Sequence, residues 1–149
     1  MIRVERAIDV ERSASEVFDR LTRIEDLPRW QPGISEAAVE SPPPLQAGSR
    51  IRLVAHVAGQ RVVATGTITE LARPTRIGLV AKAGSTDVQG AVTITPRGDD
   101  ACRVELATGI RLGGMLRFAE GMVRSRIEAE APAVAASVKS WLEAEEPPA

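Results

Sequence analysis

Between Ile34 and Arg111 the chain repeats one pattern, apolar residues at every second position broken at short intervals by turn formers, and this leaves little choice of fold class. The breaks are Ser41-Pro42-Pro43-Pro44 with Gly48, then Gly59, Ala72-Arg73-Pro74, Gly84-Ser85 and Gly98-Asp99-Asp100. They delimit strands near 34–40, 49–57, 61–71, 75–82, 86–96 and 101–111, at the spacing of an antiparallel meander. A seventh strand opens the chain at residues 2–11, where Ile2, Val4, Ile8 and Val10 alternate with Arg3, Glu5 and Asp9.

Helical signals are confined to two places. Ser13-Ala14-Ser15-Glu16 is a capping box, with the Ser13 hydroxyl accepting from the amide of Glu16, and Val17, Phe18 and Leu21 follow at helical spacing. A second short helix is expected from Ile24 to Arg29, ended by Pro28, with Trp30-Gln31-Pro32-Gly33 as a loop. After Gly113-Gly114, residues Met115, Phe118, Ala119, Met122, Val123, Arg126 and Ile127 share one face of a long amphipathic helix. Pro132 is expected to kink or divide that helix before Val134, Val138, Trp141 and Leu142 resume the stripe, and the tail 145–149 is expected to fray.

The order of elements predicts a single α+β domain over residues 1–149, in which one curved seven-stranded antiparallel sheet hides its apolar face under the C-terminal helix. Alternation selects the inward sets. They are Ile51, Leu53, Ala55 and Val57; Val62, Ala64, Gly66 and Ile68; Ile77, Leu79 and Ala81; Val88, Gly90, Val92 and Ile94; and Val104, Leu106, Thr108 and Ile110. Several are small where packed cores usually place Leu, Ile or Phe, so volume is missing opposite Met115, Ala119 and Met122. A ligand-sized cavity and a helix that simply sits closer to the sheet both satisfy this pattern.

The residues that carry chemistry are few. A formal charge of −1 with scattered arginines offers no footprint for nucleic acid. One cysteine, Cys102, forms no internal disulfide, and the opening Met1-Ile2-Arg3-Val4-Glu5 lacks the apolar core of a signal peptide, so a cytoplasmic protein is expected. No segment is long and apolar enough to insert in a membrane. His56 points away from the inward set, and with one His and no inward acid the chain predicts no metal, no cofactor and no nucleophile–base constellation.

The opening strand into Ser13-Ala14-Ser15-Glu16-Val17-Phe18, Leu27-Pro28-Arg29-Trp30-Gln31-Pro32, Gly48, Thr65-Gly66-Thr67-Ile68-Thr69-Glu70 leading to Pro74, and the run from Gly114-Met115-Leu116 to Leu142 together resemble the START-like superfamily, also called SRPBCC or helix-grip. The polyketide cyclase/dehydrase branch is the most similar, over about residues 2 to 145. The resemblance implies a sheet wrapped round the long helix, with an apolar cavity that holds a lipid-like, polyketide-like or other hydrophobic molecule. Functions within the superfamily range from cyclases to receptors and carriers, so the fold does not choose among them.

Candidate ligand-binding residues are Trp30 from the loop, Leu53, Ala55, Leu79, Leu106 and Thr108 from the sheet, and Met115, Phe118, Ala119, Met122 and Arg126 from the helix. Trp30 either closes the mouth or plugs the core with its indole N–H on a carbonyl. Phe118 reads equally as cavity wall or core. Arg126 on the apolar face either anchors a ligand carboxylate or enolate, or reaches solvent with Glu130 at i, i+4. Arg6, in phase with Val4 and Ile8, raises the same question. Carriage of a hydrophobic small molecule is the first expectation, a polyketide cyclase or dehydratase using the same cavity the alternative, and a protein-interaction module the third. A homodimer is left open.

Overall fold

The computed structural model describes residues 1–57 and 59–144; the Val57 side chain, expected inward, and the tail 145–149, expected to fray, lie outside that description. Strand β1 (Ile2–Val10) leads to helix α1 (Ala14–Leu21), a 3₁₀ turn (Ile24–Asp26) and helix α2 (Leu27–Trp30). Six strands follow: β2 (Ile34–Val39), β3 (Arg50–Val57), β4 (Gln60–Ala72), β5 (Arg76–Ala83), β6 (Thr86–Pro96) and β7 (Cys102–Arg111). A 3₁₀ segment (Gly114–Ala119) then turns into helix α3 (Glu120–Glu143). The strands form one antiparallel sheet in the order β1-β7-β6-β5-β4-β3-β2. From β1 at one edge, α1 and α2 lead to β2 at the other, and each later strand pairs with its predecessor until β7 returns to β1. This is the curved sheet and terminal helix of the helix-grip fold.

Register places the alternating residues as their period requires. Ile51, Leu53 and Ala55 of β3 face Gly66, Ala64 and Val62 of β4; the Gly66 row continues through Ala81, Val88, Ile110 and Ile2, and the neighbouring row runs from Ile68 through Leu79, Gly90 and Thr108 to Val4. One half of the capping box forms: Ser13 Oγ accepts from the Glu16 amide at 3.2 Å, while the Glu16 carboxylate reaches back to the Ser13 hydroxyl, which donates to it at 3.3 Å, in place of the Ser13 N–H. Ala14, Val17, Phe18 and Leu21, one stripe of α1, are buried against the inner sheet face.

Two prolines behave differently from the sequence expectation. Pro28 opens α2 instead of ending a helix, because the first turn has no use for the N–H that proline lacks. Trp30 therefore sits on α2 and not in a loop. Pro132 lies inside α3 without dividing it; both it and Glu128, whose carbonyl loses a partner, are exposed, so water can serve the freed oxygen.

Helix α3 runs parallel to β1, along the edge of it that β7 leaves free. Its side chains bond edge-strand backbone: Lys139 Nζ donates to the Asp9 carbonyl, and Glu143 Oε2 accepts from Glu11 N–H at 2.9 Å. At the other end Arg124 donates to the Met1 carbonyl at 3.4 Å, and the Met1 ammonium meets Glu120 at 3.2 Å. The second half of α3 closes the core: Ala131, Val138 and Leu142 are buried, and Trp141 stacks on Trp30 with centroids 6.3 Å apart. Arg20 Nη1 caps this end on the Trp141 carbonyl at 2.6 Å and lies over the Trp141 ring.

The rotation of α3 about its axis corrects the sequence reading of its face. Val123, Ile127, Ala131, Val134, Val138 and Leu142 form the stripe that meets the body, while Met115, Phe118, Met122 and Arg126 point away from it and are exposed. The phase is set by the C-terminal half, where the apolar burial and the edge-strand bonds are. The sequence stripe over 115–127 is a second apolar face, and only its flank at Ala119, Val123 and Ile127 is even half-buried.

Candidate functional site: an open trough on the inner sheet face

The inner face is sealed at one end and open along part of its length. At the α1 end Val10, Cys102, Val104, Ile94 and Ile68 are almost fully buried beneath α1 and the end of α3. Further along the same face, Ile77, Leu79, Val88, Val92, Leu106 and Ile110 are half-buried, and Thr108 is exposed. Gly90 lies between Leu79 and Thr108, and a Cβ built on it toward this face meets no atom of the described residues within 4 Å. Gly66, in the neighbouring row, is the opposite case: its Cβ would stand 2.8 Å from Ile51 Cγ1 and 3.2 Å from Leu79 Cδ1. Undersized residues thus leave space at Gly90 and are close-packed at Gly66.

Polar groups on this face are sparse. Arg6 occupies an inward position opposite Leu106, is exposed, and makes no ion pair among the described residues; its one hydrogen bond goes to the Glu5 carbonyl at 3.5 Å. Thr108 pairs with Val4, two residues along β1, so the hydroxyl and the guanidinium are diagonal neighbours on one face, within reach of a long side chain. Arg126, the other arginine singled out, points outward and pairs with Glu130 at 3.2 Å, the solvent-facing arrangement.

The remaining candidates fall into two groups. Leu53 is core, Ala55 is half-buried beside it, and Leu79, Leu106 and Thr108 line the trough. Ala119 is half-buried at the helix start, whereas Met115, Phe118 and Met122 do not reach the trough wall. Trp30 is 8% exposed and plugs the core; its indole N–H finds no acceptor among the described residues, in place of the carbonyl partner expected of a buried tryptophan. His56 is exposed, with Nε2 3.2 Å from Ser35 Oγ. Cys102 is buried on the inner face, and burial pushes its thiol pKa up.

A separate groove of about 380 Å³ lies on the outer face, floored by Gly78, Ala91, Ala107 and Gly109. Arg3, Glu5, Glu70, Arg76 and Gln89 line it, and Arg76 is held by Glu70 at 2.7 Å. Charged and amide side chains rim a floor of small residues, so the groove lacks the large apolar side-chain walls of an ordinary site for an apolar molecule.

Known proteins bear on this geometry. The START superfamily protein from Mycobacterium smegmatis superposes with a TM-score of 0.74 at 18% identity, over 96% of this chain and 98% of that one. The aromatase/cyclase ZhuI from Streptomyces sp. R1128 gives 0.76 at 17% identity, over 95% and 93%. A Rhodobacter sphaeroides protein gives 0.68 at 17%, over 97% and 94%. Identities this low establish the fold alone. No curated protein matches the chain. Among the described residues no helix is long and apolar enough to cross a membrane. A family profile described as polyketide cyclase / dehydrase and lipid transport matches residues 1–143, and the chain belongs to that family.

Proposed function

We propose that the inner trough binds and carries an apolar small molecule, lipid-like or polyketide-like, against β5, β6 and β7. The observation that carries this reading is the space in front of Gly90, walled by Leu79, Val92 and Leu106, which stay half-exposed while their strand neighbours Ile94 and Val104 are sealed. Covering such a wall is worth about 25 cal/mol per Å² of apolar area, so a ligand that buries about 300 Å² gains on the order of 7 kcal/mol before association costs. Arg6 and Thr108 give the wall one cation and one hydroxyl, suited to a carbonyl or carboxylate at one end of the ligand. The single unpaired thiol fits a reducing, cytoplasmic setting.

Native mass spectrometry of the purified chain, followed by solvent extraction, tests the proposal. The expected result is an apolar molecule that co-purifies and is lost from a Gly90→Phe variant; a chain that arrives empty and takes up no member of a lipid and polyketide panel overturns it. The enzyme reading rests on Arg6, which could polarise a ligand carbonyl while the trough orients a reactive chain. Turnover of a poly-β-ketone that Arg6→Ala abolishes, with ligand retention intact, would favour the cyclase; retention without turnover favours the carrier.

A further inference from the structure

Three large apolar side chains project into solvent at the start of the C-terminal helix: Met115 is 88% exposed, Phe118 81% and Met122 77%, with Leu116 at 46% beside them. Isolated exposed apolar residues need no account, but a contiguous group of this size on one short segment marks an interaction surface. The interior has no use for them, since α3 turns its other face to β1. Arginine surrounds the patch. Residues 111–126 carry Arg111, Arg117, Arg124 and Arg126 against the single acid Glu120, on a chain whose overall charge is −1. Arg124 and Arg126 are paired with Glu120 and Glu130, whereas Arg111 and Arg117 make no ion pair among the described residues; the Arg117 guanidinium lies 5.2 Å from the Phe118 ring centre.

The patch stands at the mouth of the trough. Gly113 packs so tightly on the β5–β6 turn that a Cβ there would lie 2.0 Å from the Ser85 carbonyl oxygen, and only glycine fits that corner. The segment is thereby held to the ends of β5, β6 and β7, about 13 Å along β6 from Gly90, four residues at a strand's rise.

We infer that Met115, Phe118 and Met122 insert into the surface of an anionic bilayer, with Arg111 and Arg117 on its headgroups, and set the trough mouth against the source of its ligand. This inference rests on the carrier reading of the trough. Protruding apolar side chains, a local excess of arginine and low overall charge are the ingredients of a peripheral, interfacial contact that spans nothing. A protein partner would need acids to meet the arginines, and a second copy of this chain would bring arginine against arginine.

Co-sedimentation of the full chain with phosphatidylcholine vesicles, with and without 30% phosphatidylglycerol, tests the inference. Binding is expected to the anionic vesicles, to weaken in 0.5 M NaCl, to fall about fivefold with each of Arg111→Gln and Arg117→Gln, and to fall more than tenfold in Phe118→Asp/Met122→Asp. Those positions are exposed, so circular dichroism and melting temperature should stay unchanged. Failure of the wild type to bind anionic vesicles overturns the inference, as does a stable dimer that Phe118→Asp dissociates, which would assign the patch to self-association. The Gly90→Phe variant separates the two readings: vesicle binding that persists in it without ligand uptake supports the patch, and ligand retention by a wild-type chain that binds no vesicles sinks the patch while leaving the trough.

Discussion

Gly66 and Gly90 lie in neighbouring rows of the same inner face, and they differ in what stands in front of them. A methyl at Gly66 would press 2.8 Å from Ile51 Cγ1, which is fully buried, and 3.2 Å from the Val80 carbonyl, which is backbone. Overpacking of this kind costs about 1–3 kcal/mol, offset by the roughly 0.5–1 kcal/mol that alanine gains over glycine in a strand. Gly66→Ala should therefore destabilise by about 1–2 kcal/mol and lower the melting temperature by roughly 2–6 °C in a domain of this size. At Gly90 nothing lies within 4 Å, so only the backbone gain remains, and Gly90→Ala should raise the melting temperature by roughly 1–3 °C. Gly90→Phe should fold as well and fill the trough. A ligand deprived of about 100 Å² of apolar wall loses about 2.5 kcal/mol, or roughly 70-fold in affinity. Differential scanning fluorimetry reads the first two variants and displacement of an apolar fluorophore reads the third. If Gly90→Ala melts below the wild type, as Gly66→Ala does, the space is closed; if Gly90→Phe binds the fluorophore as tightly as the wild type, the ligand lies elsewhere.

Trp30→Ala removes a buried ring that stacks on Trp141 and should cost about 3–5 kcal/mol in urea unfolding; a loss below about 1 kcal/mol would deny the plug. Arg126→Ala, at an exposed ion pair, should change stability by less than about 0.5 kcal/mol and leave ligand retention unaltered. The Glu11 amide first, and Lys139 second, hold the Glu143 carboxyl below its ordinary range. A depressed folded-state pKa contributes stability that is complete above the ordinary value of 4.5 and is lost as pH falls through the folded value. Glu143→Gln should accordingly narrow the gap to wild type as pH drops from 7 toward 3 in melting experiments, and a constant gap would remove Glu143 from the edge clamp.

Much of this protein is decided by residue order alone. A strand's two-residue period commits every side chain to one face once any is assigned, and short turns pin neighbouring strands together, so Ile51, Leu79, Gly90, Thr108 and even Arg6 can be placed inward before any coordinates exist. The Ser13 cap is equally local. A helix carries no such commitment. Residues 115–142 bear two apolar faces about its axis, and which one docks depends on burial and edge bonds made with β1, α1 and α2, far away in sequence. For the same reason Met115, Phe118, Met122 and Arg126 could not be placed from periodicity. Whether small residues leave room is also tertiary: Gly66 and Gly90 occupy equivalent inward positions, and only the distance to the opposing atoms makes one tight and the other vacant.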